Sequence, residues 1–147
     1  MNRILLDTNI VLRLADRAAS EHRAIRLALQ KLDAQGVSLV LAPQVLIEFW
    51  VVATRPVDVN GFGWTTEIVG AAIARLRERF DLLAESPELF QRWIELVVQR
   101  DLRGKRAHDA RLAAIALVHG VERILTFNVS DFSGIGGVAA LRPEDVT

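Results

Sequence analysis

The sequence predicts an α/β protein: a three-layer α/β/α sandwich around a short, mostly parallel central sheet. Three observations predict it. Short β-compatible apolar runs alternate along the chain with longer stretches whose apolar residues recur at helical spacing. The runs are continuously apolar, as strands covered on both faces are, and each crossover between parallel neighbours needs a helix that returns over the sheet. No repeat, linker or low-complexity tract interrupts the series, and 147 residues suit one domain spanning 1–147.

The first strand is Ile4-Leu5-Leu6, which stops at Asp7, and the helical spacing of Ile10, Val11 and Leu14 begins at once. A helix over 20–34 places Ala24, Leu27, Ala28 and Leu32 on one face, and a strand follows at 37–41. Pro43 suits the first turn of a buried, mostly apolar helix that carries Glu48 in its middle and stops at Arg55-Pro56. Asn60-Gly61 and Gly63 mark a loop, after which Thr65 or Thr66 caps a helix running to Arg79. A third strand is expected at 80–83, a helix opened by Ser86-Pro87, a helix over 108–119 stopped by Gly120, a fourth strand at 123–127 and an edge strand at 138–141.

Composition narrows the chemistry. With 51% hydrophobic and 24% charged residues the chain is too apolar for disorder. Eighteen basic and eighteen acidic residues cancel, so any nucleic-acid contact must come from a local patch. The absence of cysteine excludes disulfides, zinc-thiolate sites and thiol nucleophiles, and leaves carboxylates for hard cations. The apolar run before Asp7 is too short for a signal peptide, and the stretch 37–53 is too interrupted to span a bilayer, so a cytoplasmic protein with no membrane partner is expected.

Acidic residues at the carboxyl ends of parallel strands carry more functional weight than acidic residues elsewhere. Asp7 has that position, and Thr8 and Asn9 can cap the first helix while turning Asp7 toward the crevice. Glu48 sits among Val45, Leu46, Ile47, Phe49, Trp50 and Val51, where an ionised carboxylate needs either a metal or an arginine partner. Asp109 is placed in the first turn of its helix, above Leu112, Ala113 and Ala116, and reads either as a ligand or as a residue favoured by the helix dipole. Thr126, Asn128 and Asp131 lie at or just past the fourth strand. Three carboxylates joined by Asn128 or Asp131 make an oxygen-only site suited to Mg²⁺ or Mn²⁺, and the matching chemistry is phosphodiester hydrolysis.

Four stretches in order then carry a family resemblance: Leu5-Leu6-Asp7-Thr8-Asn9, the apolar helix bearing Glu48, His108-Asp109-Ala110-Arg111-Leu112-Ala113-Ala114, and Leu125-Thr126-Phe127-Asn128-Val129-Ser130-Asp131-Phe132. Together they resemble the PIN-domain nucleases, and within them the VapC-like toxins of bacterial toxin–antitoxin pairs. The resemblance implies that Asp7, Glu48 and Asp109 ligate the metal, and that Asn128 occupies a position that is acidic or Asn in the family. It also implies RNA endonuclease activity, a homodimer and a cognate antitoxin that inserts a segment near the site. On this reading a metal-held water attacks phosphorus in line, with Glu48 or Asp131 orienting or deprotonating it, and leaves 5′-phosphate and 3′-hydroxyl ends.

Arg100, Arg103, Lys105 and Arg106 form the best basic patch, serving either the RNA backbone or the C-terminal end of the preceding helix. Trp50, Trp64 and Trp93 fit core or interface positions better than base-stacking ones. The three histidines, His22, His108 and His119, have no ligand spacing, which argues against Ser-His-Asp chemistry. Two rivals are a catalytically inert binding module on the same fold and a phosphatase with an aspartyl nucleophile. Intact Asp7, Glu48 and Asp109 oppose the first, and Asp7-Thr8-Asn9 in place of Asp-x-Asp opposes the second.

Overall fold

A computed structural model describes residues 2–147. Five strands, β1 (Arg3–Leu6), β2 (Ser38–Leu41), β3 (Asp81–Leu82), β4 (Arg123–Leu125) and β5 (Ala139–Leu141), form one sheet in the order β3-β2-β1-β4-β5. Every described ladder is parallel. Six helices cover it: α1 (Thr8–Ala15), α2 (His22–Ala34), α3 (Pro43–Thr54), α4 (Thr66–Arg79), α5 (Leu89–Gln99) and α6 (Lys105–Val118).

The order explains where a site can form. From β1 the chain builds outward through β2 to β3, then crosses back to add β4 and β5 on the other side. The crevice at the carboxyl ends of β1 and β4 is therefore a topological switch point, and Asp7 lies there, its N–H donating to Leu125 carbonyl at 3.0 Å. Ile4, Leu5 and Leu6 are fully buried, as the continuous apolar run requires of a central strand. Leu5 pairs with Val40 on one side and Ile124 on the other. Leu5→Ala should thus cost about 2–5 kcal/mol, read as a lower denaturation midpoint at unchanged slope.

Several boundaries differ from expectation for physical reasons. β3 is shorter than 80–83 because Phe80 turns inward as the C-terminal cap of α4, although Leu83 N–H still reaches Leu41 carbonyl at 2.8 Å. β4 ends at Leu125, and Thr126 continues the pairing with one bond to Leu141. Thr65, rather than Thr66, caps α4 by accepting from Ile68 N–H. Helix α3 is only half buried: Val45, Leu46, Phe49 and Ala53 face the core, while Ile47, Trp50 and Val51 face outward. An apolar residue set on both sides of the helix hid that division, because such a helix has little amphipathic signal. Trp64 and Trp93 pack against the core, and Trp93 Nε1–H donates to Ala107 carbonyl at 2.7 Å.

The largest correction concerns α6. It starts at Lys105, not at His108, so Asp109 lies beyond its first turn, and no acidic residue occupies that turn. Gly104, at φ 56° and ψ −129°, redirects the chain in a conformation that side-chain-bearing residues avoid, and this admits the basic run into the helix. At the other end Gly120 adopts φ 68°, as expected for a left-handed stop. No helix among the described residues is long and apolar enough to cross a membrane.

Candidate metal centre

Asp7 is the N-cap of α1: its Oδ1 accepts from Thr8 N–H at 2.7 Å. This corrects the expectation that Thr8 or Asn9 would cap. Both are freed for other contacts. Thr8 Oγ1–H donates to Glu48 Oε2 at 2.6 Å, tying the loop after β1 to α3. Asn9 Nδ2–H lies 3.3 Å from Asp7 Oδ2 and 3.2 Å from Thr126 Oγ1, and its Oδ1 accepts from Phe127 N–H at 3.1 Å. Fully buried Thr126 completes the cradle by donating to Asp7 Oδ2 at 2.8 Å while accepting from Asn128 N–H at 3.0 Å.

Glu48 is half-buried. Among the described residues the basic side chain beside it is His108, whose Nε2 lies 3.2 Å from Oε1, rather than an arginine. Gln44, one turn earlier on α3, donates to Glu48 Oε1 at 3.1 Å. Asp109, on the second turn of α6, lies close enough for its charge to act on Asp7.

The electrostatics record that closeness. Burial raises the pKa of Asp7 above the ordinary carboxylate value, the hydrogen bonds from Thr126 and Thr8 oppose the rise, and the charges of Glu48 and Asp109 add to it. Asp109 is likewise raised, first by burial and then by Asp131, with Lys105 and His108 opposing and Glu48 adding a smaller push. Asp131, in the short turn Val129–Phe132, therefore joins the acidic group. Asn128 precedes that turn as an exposed residue and contributes its backbone N–H.

Thus the charges of Glu48 and Asp109 reach Asp7 and that of Asp131 reaches Asp109, with Thr8, Asn9 and Thr126 holding Asp7 and Glu48 in place. These carboxylates do not form a finished coordination sphere: among the described residues no three His, Asp or Glu side chains stand at metal-ligating separations. The donor chemistry nonetheless fits a hard divalent cation, being all oxygen, and such a cation would offset both the burial of Asp7 and Asp109 and the carboxylate repulsion that adds to it.

The basic patch divides. Arg103 is an exposed partner of Asp101 at 2.9 Å, whereas Lys105 and Arg106 open α6. That end of a helix disfavours cations, and α5 has no basic residue in its last turn, so the patch does not serve as a complement to the α5 dipole beyond its cap residue Arg100. Two contributors were not foreseen from sequence: Gln44 and Arg111. Their only signal was position, Gln44 four residues before Glu48 and Arg111 two residues after Asp109.

Known proteins share this arrangement of elements. The PIN domain family matches residues 4–137. Ribonuclease VapC24 of Mycobacterium tuberculosis is 29% identical over 137 residues, covering 89% of this chain and 90% of its own. In fold, the chain is similar to VapBC2 from Rickettsia felis, solved bound to a DNA fragment from its promoter (TM-score 0.73, 17% identity, 95% of this chain and 98% of that one). It is also similar to VapC20 of M. tuberculosis, a toxin that cleaves the sarcin-ricin loop (TM-score 0.66, 23% identity, 90% and 95%).

Proposed function

Since this chain belongs to the PIN-domain family, we propose that it is a Mg²⁺- or Mn²⁺-dependent endoribonuclease, the toxin of a toxin–antitoxin pair, acting in the cytoplasm as one nuclease domain. The observation that carries this reading is the approach of Glu48 and Asp109 to Asp7, near enough that both charges add to the rise in its pKa, with Glu48 acting on Asp109 as well. The ribonuclease name of the VapC24 relative and the toxin–antitoxin neighbours support the choice of RNA and of an antitoxin partner.

In this reading Asp7, Glu48 and Asp109 hold the cation, with Asp131 rather than Asn128 supplying the additional negative charge, because Asp131 is anionic and acts on Asp109 while Asn128 is neutral. The bound cation would polarise a phosphate oxygen and acidify a water. Thr126 and Asn9 fix Asp7 so that its lone pairs are aimed into the crevice, and Glu48, pinned by Thr8, orients the attacking water and receives its proton. Lys105 and Arg106 hold the RNA backbone on the α6 side. The outward apolar residues Ile47, Trp50 and Val51 support a second copy of the chain as a further partner.

The test is direct. Purified protein with Mg²⁺ or Mn²⁺ should cleave a structured RNA into fragments with 5′-phosphate and 3′-hydroxyl ends, and EDTA should stop it. Cleavage that persists in EDTA would refute the reading.

The basic residues give a separate prediction. Lys105→Ala and Arg106→Ala should weaken RNA binding across sequences. Each should also flatten the plot of log affinity against log salt by about 0.7 for every phosphate that is no longer neutralised, whereas Arg103→Ala, already paired with Asp101, should do less. Filter binding from low to moderate salt measures this, and an unchanged slope in both α6 variants would remove them from the RNA path.

A further inference from the structure

Glu48 is held at both oxygens, and one of its holders is itself held. Gln44, buried on α3, donates from Nε2 to Glu48 Oε1 at 3.1 Å. Its Oε1 accepts from Arg111 Nη1 of α6 at 2.8 Å, and Arg111 Nη2 donates to Glu85 Oε2 at 3.3 Å. A guanidinium has only donors and a carboxylate only acceptors, so the amide between them has a single favourable orientation. Rotating it by half a turn would set N–H against N–H on one side and oxygen against oxygen on the other.

We infer that Gln44 and Arg111 are positioning residues: together with Thr8 they lock the Glu48 carboxylate in the orientation that accepts a divalent cation. The inference rests on the proposed metal-dependent nuclease reading and extends it to two residues outside the acidic group. The geometry has a second consequence. Arg111 is two residues from Asp109, so the chain Glu85–Arg111–Gln44–Glu48 ties the helix carrying one proposed ligand to the helix carrying another. A hydrogen-bond chain of this kind reduces the reorganisation that binding requires, and partners that orient a ligand typically contribute about 10–100-fold to metal affinity.

The experiment is a calorimetric titration of metal-free protein with Mn²⁺, for wild type, Gln44→Met, Arg111→Met, the double variant and Arg111→Lys, with thermal midpoints recorded without metal. Gln44→Met and Arg111→Met should each weaken Mn²⁺ binding about tenfold. Because Arg111 acts through Gln44, the double variant should bind no more weakly than Gln44→Met alone, and Arg111→Lys, which retains a donor toward Gln44, should recover part of the loss. If Gln44→Met does not fold, the Arg111 pair carries the test, since that side chain is partly exposed. Wild-type affinity in a folded Arg111→Met or Gln44→Met variant, or additive losses in the double variant, would overturn the inference while leaving the nuclease reading intact. Failure of the wild type to bind Mn²⁺ would overturn both.

Discussion

Replacing Asp7 or Asp109 by alanine is expected to lower RNA cleavage at least about a hundredfold while leaving the protein folded. The two residues are far apart in the sequence, yet burial first and neighbouring carboxylate charge second raise the proton affinity of both. A pair of merely structural carboxylates would be expected to find cationic partners. Asp7 instead is cradled by the neutral donors Thr8, Asn9 and Thr126, which supply no compensating positive charge. Asp7→Asn tests the charge with less disturbance of shape and should be nearly as inactive. Near-wild-type cleavage by Asp7→Asn and Asp109→Asn would remove both from the proposed chemistry. Circular dichroism of the same preparations separates lost function from lost fold.

The second large effect is on stability. For a carboxyl group whose pKa is raised on folding, the folded state binds the proton more tightly than the unfolded state, so its favourable contribution is complete below the unfolded value of 3.8 and is lost as pH rises through the folded value. In metal-free protein, Asp7 and Asp109 therefore lower stability at neutral pH. Three results follow. Metal-free Asp7→Asn should melt higher than metal-free wild type at pH 7, and that advantage should shrink as the pH is lowered toward 3.8. Mn²⁺ at a hundred times its dissociation constant should stabilise wild type by about 2.7 kcal/mol, and EDTA should reverse this. The same Mn²⁺ should shift Asp7→Asn far less. Equal Mn²⁺ stabilisation of both proteins would place the ion elsewhere.

How much of the molecule is legible in sequence depends on what kind of order each feature needs. The sheet was legible because Ile4-Leu5-Leu6 and its partner runs are apolar without alternation, and that pattern survives in one dimension. Asp7 stood out because a strand stops there and a helix begins. Asp109 was a candidate in the sequence while its place in α6 was not legible: the run Arg103-Gly104-Lys105-Arg106 looks like a polar loop, and only the backbone at Gly104 reveals that the helix has already begun by Lys105. Capping was misassigned among Asp7, Thr8 and Asn9, since any of the three is a competent cap and the choice depends on Glu48 and Thr126 claiming the other side chains.

The pairing of Gln44 with Arg111 had no sequence signature at all. It depends on the rotational register of α3 against α6, which packing over the sheet decides and which neither helix encodes alone. The outward set of Ile47, Trp50 and Val51 was hidden for the opposite reason: a helix apolar on two faces looks simply buried.

The most direct test of the shared crevice is diffraction from crystals soaked in Mn²⁺, with data collected to locate the ion by its anomalous signal. A peak about 2.1 Å from carboxylate oxygens of both Asp7 and Asp109, with Glu48 beside it, is the predicted result. A fully soaked crystal with no peak between those two aspartates, or with its peak elsewhere on the molecule, would contradict the account.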